Sequence, residues 1–246
     1  MVKLFEEFVQ KDLEPIKSFE LKDDLNRDVW DDWELKEDIR NQLEVIAQDF
    51  FEFLEVECDL IDIHLLGSLA GYNWSSYSDF DVHLIINFKD INEDIELVKK
   101  YLDAKKVIWN DSHELSIKGY EVELYSQDAS EKNSTNGIFS LLHNEWVKKP
   151  IREEFVLDEE LIKRKAKPLM DKIDEISDML EENKTYEEII EEFQKVWKKI
   201  KDGRKSGLEK DGEMSTENLV FKLLRRNGYI GTLIELKTKA YDKQFK

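Results

Sequence analysis

The chain reads as α/β, more narrowly α+β, with a mixed sheet flanked by helices and a C-terminal helical bundle. Three observations carry that expectation. Two apolar runs, 60–66 and 80–88, have the length of strands and lie between stretches patterned as helices. Around 120–126 apolar and polar residues alternate with period two. Beyond residue 151 strand signals fade and apolar residues recur at three- and four-residue spacings. Strands interleaved with helices require those helices to pack on the sheet. The expected division is an α/β domain over 1–150, including N-terminal helices, and a helical domain over 151–246.

In chain order, Leu4, Phe5, Phe8 and Val9 form the stripe of one short helix, followed by an acidic loop through about Glu34. Ile39, Leu43, Ile46, Phe50, Phe53 and Leu54 repeat at helical spacing, which predicts a long amphipathic helix with its aromatic stripe in the core. A strand ends at Leu66, a Gly-Ser turn follows, and a second strand begins at Phe80. A helix is expected from about Asn92 to Ala104 and a strand near Val107–Trp109. A hairpin then pairs 114–117 with 120–126 through the turn Lys118-Gly119. The C-terminal helices are expected at 158–182, interrupted or kinked near Pro168, and at 186–202, 216–227 and 229–241. Ser215 suits an N-cap and Gly228 a C-cap. Residues 202–207, with two glycines, read as a loop between helices.

Composition narrows the function. Hydrophobic residues make up 41% and aromatics 11%, enough to fold despite 38% charged residues. The apolar runs are too short to cross a bilayer and the first residues lack a secretory pattern, so a cytoplasmic protein without membrane contact is expected. The single Cys58 reads as a buried thiol. Residues 1–150 carry a net charge of −18 out of the total −19. A polynucleotide binder needs a basic face, so long DNA is disfavoured as a partner.

The densest chemical signal lies between the two apolar runs. Leu60–Leu66 ends in Gly67-Ser68, and ten residues separate Ser68 from Asp79-Phe80-Asp81 at the mouth of the next strand. Side chains on a strand repeat every two residues, so Asp79 and Asp81 share a face. Two close carboxylates repel unless a cation or a proton lies between them. Hard divalent cations take carboxylate oxygens and share their other positions with phosphates. Glycine and serine beside them allow backbone and hydroxyl groups to approach phosphate oxygens. Further along, Glu121 and Glu123 alternate with Tyr120, Val122 and Leu124; the period alone does not choose between them. His64, His83, His113 and His143 show no zinc spacing. Trp74 and Tyr77 suit either stacking on a base or packing beneath the loop.

Over roughly residues 55–127, Gly67-Ser68 and Ser78-Asp79-Phe80-Asp81 resemble the DNA polymerase beta-like nucleotidyltransferase superfamily. The resemblance implies a nucleotidyltransferase-type sheet and a third acid within an apolar strand. Val122-Glu123-Leu124 fits that place better than Tyr120-Glu121-Val122, making Glu123 the choice and Glu121 the reserve. It further implies ATP or another nucleoside triphosphate as substrate, with two Mg²⁺ ions, or Mn²⁺, held by Asp79, Asp81 and Glu123 as metal ligands and catalytic residues. Gly67 and Ser68 would bind the nucleotide phosphates, and Arg204 and Lys205, between glycines, would add contacts to triphosphate or acceptor. The acceptor would be a small molecule, a protein or an RNA end. The alternative expectation is an inactive nucleotide-binding or protein-interaction module with the same fold.

Overall fold

The computed structural model describes residues 13–132, 135–182 and 184–245. The expected helix around Leu4–Val9 lies outside them. The architecture is mixed α and β, and the chain divides into two compact units. One comprises Leu21–Glu154. The other joins the segment before Leu21 to Phe155 and everything after it. Leu13–Glu20 therefore belongs with the C-terminal helices, although the sequence suggested a simple cut near 150. No helix among the described residues is long and apolar enough to cross a membrane.

The first unit holds a hairpin, β1 (Trp30–Asp31) and β2 (Glu34–Leu35), in the stretch expected to be loop. Trp30 is buried there and donates from Nε1 to the Leu69 carbonyl at 2.7 Å. The long helix α1 (Glu37–Leu54) buries Ile39, Leu43, Ala47, Phe50 and Leu54, the face that the spacing predicts. It ends where Glu55 turns left-handed at φ 54°. Its last carbonyls accept from Tyr101 Oη (to Leu54, 2.9 Å) and Lys105 Nζ (to Phe53, 3.0 Å).

Six strands form one mixed sheet in the order β5-β6-β4-β3-β7-β8. These are β3 (Leu60–Leu66), β4 (Asp79–Ile86), β5 (Ser116–Ile117), β6 (Tyr120–Asp128), β7 (Ile138–Ser140) and β8 (Glu145–Lys148). All neighbours pair antiparallel except β4 and β6, which are parallel. A parallel pair needs a crossover. Helix α2 (Ile95–Ser112), capped by Asp94 accepting from Leu97 N–H, lies in that connection. It runs through Val107–Trp109, where a strand was expected. Trp109 meets Phe50 and Phe53 and stays in register with Val98 and Leu102 on the buried face, while Val107 and Ile108 face solvent. Three consecutive bulky apolar residues thus imitate a strand although only one is core. One sheet face, with Ile63, Leu65, Phe80, Val82, Leu84, Ile86, Val122 and Leu124, joins α1 and α2 in a single core. The alternate residues of β3, β4 and β6 point away from it.

The second unit contains α3 (Glu159–Glu181), α4 (Tyr186–Asp211), α5 (Thr216–Arg226) and α6 (Tyr229–Lys243). Helix α3 runs through Pro168 without interruption. Thr185 and Glu188 form a reciprocal capping box at the start of α4, Ser215 caps α5, and Gly228 turns left-handed at φ 79° before α6. Ile16 and Phe19 join this core with Ile173, Phe193, Leu223 and Leu233.

Candidate metal centre

β3 ends at Leu66, which pairs with Asp81 across the β3–β4 ladder. The chain then bends at Gly67 (φ 73°) into the 3₁₀ turn Ser68–Ala70. On the far side of β4, the parallel register sets Asp81 opposite Glu123 and Asp79 opposite Glu121. Because Phe80 and Val82 go into the core, Asp79 and Asp81 emerge on the other face, as does Glu123 beside Val122 and Leu124. One carboxylate oxygen from each of Asp79, Asp81 and Glu123 lies within 4.8 Å of the other two. All three residues are half-buried. Glu121, at the start of β6, is exposed and does not join them. Adjacent strands lie roughly 4.8 Å apart, so equal register across a parallel pair brings these side chains into common reach.

Gly67 is needed beside this cluster. A Cβ there would lie 1.8 Å from Asp81 Oδ2 and 2.8 Å from its Cγ, and φ 73° is strained for any L side chain. Ser68 Oγ donates to Ser78 Oγ at 2.7 Å, and that oxygen also accepts from Ser75 N–H at 2.9 Å. The loop between the motif halves is tied down by its neighbours. Lys22 N–H bonds the Tyr72 carbonyl at 2.7 Å, and Trp74 Nε1 bonds the Asp24 carbonyl at 2.9 Å. Of the two aromatics in this loop, Trp74 is thus engaged in packing, with Lys22 over its ring, whereas Tyr77 is 40% exposed.

Behind the carboxylates lie a phenol and an imidazole. Tyr125, two residues beyond Glu123 and on its face, donates from its hydroxyl to Glu123 Oε2. Burial, the bond to Glu123 and the negative fields of Glu123, Asp81 and Asp79 push the phenol pKa far up, so it acts as a fixed donor. Its ring packs at 4.8 Å against His83, and Lys106 Nζ sits 4.8 Å from its centre. His83 Nδ1 is paired with Gln127 Oε1 at 2.8 Å, and burial pulls the imidazole pKa below the usual histidine range. His83 thus braces Tyr125. Further along the same face, Asp62 accepts from Ser140 Oγ (2.8 Å) and Ile63 N–H (2.7 Å) and pairs with His64 Nε2 at 3.0 Å. The period of β6 sets Tyr125 on the face of Glu123 but gives it no role, and nothing in the local sequence marks Asp62.

Arg204 and Lys205 lie in the second unit. Residues 202–207 are not a loop but the continuation of α4, which runs to Asp211. Gly207 allows close helix packing there, since a Cβ would come within 2.7 Å of Ser215 Oγ and 2.9 Å of Glu217 Cβ, whereas Gly203 has room for one. Arg204 Nε donates to Asn218 Oδ1 at 3.2 Å with its guanidinium over Phe221, while exposed Lys205 lies 3.9 Å from Glu209. The premise for assigning them nucleotide contacts, a glycine-flanked loop, therefore does not hold.

The donor set of the cluster suits a hard divalent cation: three carboxylates, no sulfur and no metal-facing imidazole. In comparisons with known proteins, no family model, no curated protein and no solved structure matches the chain.

Proposed function

We propose that the protein is a metal-dependent nucleotidyltransferase, moving a nucleoside monophosphate from a nucleoside triphosphate to a hydroxyl acceptor. The observation that carries this reading is the convergence of Asp79, Asp81 and Glu123 beside a glycine whose side chain would collide with Asp81. In the reaction the acceptor oxygen bonds to the α-phosphorus, the bond to the bridging β-phosphate oxygen breaks, and pyrophosphate leaves. Asp79, Asp81 and Glu123 would hold Mg²⁺ or Mn²⁺, which supplies compensation for charge on the phosphoryl oxygens. Tyr125 engages one oxygen of Glu123 and leaves the other for coordination. Gly67 keeps the approach to Asp81 open. Such a site works by positioning and electrostatics rather than through covalent chemistry of its own.

The sheet unit adds a preference for the acceptor. Residues 21–154 carry 31 Asp+Glu against 14 Lys+Arg. That field repels a polynucleotide and favours a small molecule or a protein hydroxyl. The test is calorimetry with ATP, GTP, CTP and UTP, with and without Mg²⁺, followed by pyrophosphate release with an α-labelled triphosphate and a cell extract. Metal-dependent binding lost in Asp81→Asn, together with label transfer, supports the reading. Binding that ignores metal and survives Asp79→Asn and Asp81→Asn overturns it. Metal-dependent binding without any transfer identifies the inactive module instead.

A further inference from the structure

The chain passes between its two compact units twice, after Glu20 and after Glu154. One side chain ties the two connections together. Arg152, two residues ahead of Glu154, donates from Nε to the Lys22 carbonyl at 2.9 Å and from Nη2 to Asp23 Oδ1 at 3.0 Å. Just upstream, the Asn136 side chain pins Ile151, accepting from its N–H at 3.0 Å and donating to its carbonyl at 2.7 Å. Downstream, Glu153 and Glu154 are exposed and make no hydrogen bond or ion pair among the described residues. Beyond them Phe155 and Leu157 pack on the helical core, as Phe19 does before the first crossing. The untethered part of each connection is therefore only a few residues long.

The residues that Arg152 holds also hold the loop leading into Asp79. Lys22 N–H donates to the Tyr72 carbonyl at 2.7 Å, and the Asp24 carbonyl accepts from Trp74 Nε1 at 2.9 Å. Next to Trp74, Ser75 N–H bonds Ser78 Oγ, which also accepts from Ser68 Oγ. Bonded contacts thus lead from both connections to the Gly-Ser turn. The outermost of them is the weakest, because the Arg152–Asp23 pair is 40% and 94% exposed and water and salt compete for it.

We infer that Arg152 is a positioning residue: it clasps the two connections and, through Lys22 and Asp24, sets the loop between Gly71 and Asp79. An open clasp loosens that loop; a closed one holds it. The effect on the loop needs only the bonds above, whereas the effect on a cation rests on Asp79, Asp81 and Glu123 being its ligands. Coupling of this kind is reciprocal in binding free energy. A cation that orders the loop also favours the closed clasp.

The test is amide hydrogen exchange of the full chain in EDTA, comparing wild type with Arg152→Ala, Arg152→Lys and Asp23→Asn. In Arg152→Ala the amides of Lys22, Ser75 and Ser78 should exchange about threefold faster, with α1 and β6 unchanged. Arg152→Lys keeps the charge without the fork and should fall between the two. Asp23→Asn loses the ion pair alone and should do less, and added NaCl should bring wild type to its level. Mn²⁺ titration is the second arm: Arg152→Ala should bind about threefold more weakly, and saturating Mn²⁺ should slow exchange at Lys22 in wild type. Unchanged exchange over 72–78 in Arg152→Ala overturns the inference, as does acceleration spread over the whole sheet. Exchange that follows the expectation in a chain that binds no Mn²⁺ upholds the clasp and removes the metal assignment instead.

Discussion

Gly67 and Tyr125 carry no charge, yet they shape the acidic cluster more directly than any basic residue near it. Gly67→Ala places a methyl group where Asp81 Oδ2 now lies and forces a left-handed backbone on an L residue, at about 1–2 kcal/mol for the backbone alone. The expected outcome is a lower melting temperature together with loss of Mn²⁺ binding, read by calorimetric melting and Mn²⁺ electron paramagnetic resonance. Tyr125→Phe tests the other side of the arrangement. Removing its hydroxyl costs the fold about 1 kcal/mol or less and leaves Glu123 without its donor. Partners that orient metal-ligating carboxylates are worth roughly 10- to 100-fold in metal affinity, so Mn²⁺ should bind at least about tenfold more weakly with little change in melting. A variant that binds Mn²⁺ like the wild type would show that Glu123 is held by packing alone.

Among the elements, β3 and the α4–α5 pair each hold a residue whose change can be read directly, Asp62 and Gly207. In β3, burial raises the Asp62 pKa, but the bonds from His64, Ser140 and Ile63 N–H outweigh it, and the carboxyl titrates below its ordinary 3.8. A depressed folded pKa means that the ionised group stabilises the fold fully above the unfolded value and loses that contribution as pH falls through the folded one. Asp62→Asn should therefore be less stable than wild type at neutral pH. The gap should narrow as pH drops below about 4, followed by urea unfolding at each pH. In α4, Gly207→Ala gains about 1 kcal/mol of helix propensity but drives a methyl group into Ser215 and Glu217, neither of which is the far end of a long flexible chain at the contact. Net destabilisation in thermal melts is expected; a stabilised variant would mean that α5 shifts freely. The same glycine explains what local sequence hides. Gly203 and Gly207 look like loop residues because glycine marks turns, whereas both lie within α4 and Gly207 marks the close approach of α5, a fact of packing that composition does not carry. Val107–Trp109 misleads for the converse reason, since bulky apolar neighbours suit a strand until the spacing from Val98 and Leu102 is counted. Alternation in β4 and β6, by contrast, is set by which residues enter the core, so Asp79, Asp81 and the pair Glu121 and Glu123 were legible. The period left those glutamates equivalent and only the apolar flanks of Glu123 favoured it; the register sets each opposite an aspartate, and what separates them is that Glu123 reaches within 4.8 Å of both aspartates while Glu121 is exposed.

At the scale of the whole molecule, a net charge of −19 makes bound cations stabilising wherever carboxylates converge. If Asp79, Asp81 and Glu123 hold a divalent ion only in the folded state, Mg²⁺ at a hundred times its Kd adds about 2.7 kcal/mol of stability. Wild type should melt at higher temperature in Mg²⁺ than in an equal ionic strength of NaCl, and Asp79→Asn should not. Equal shifts in both would attribute the effect to general screening. The charge difference between halves and the fading of strand signals after 151 made two regions visible along the chain. The return of Leu13–Glu20 to the second unit was not visible, because a short stretch with Ile16 and Phe19 holds no sign of which distant helices receive it.

That return has a consequence for biosynthesis. Ile16, Ser18 and Phe19 are synthesised some two hundred residues before Leu223 and Arg226, with which they share a core and a hydrogen bond. Leu21–Glu154 has every strand of its sheet in hand long before then. During translation Ile16 and Phe19 are exposed to solvent until Leu223 and Leu233 have been made, so a substitution at either should be felt in the packing of α5 and α6 rather than in the sheet.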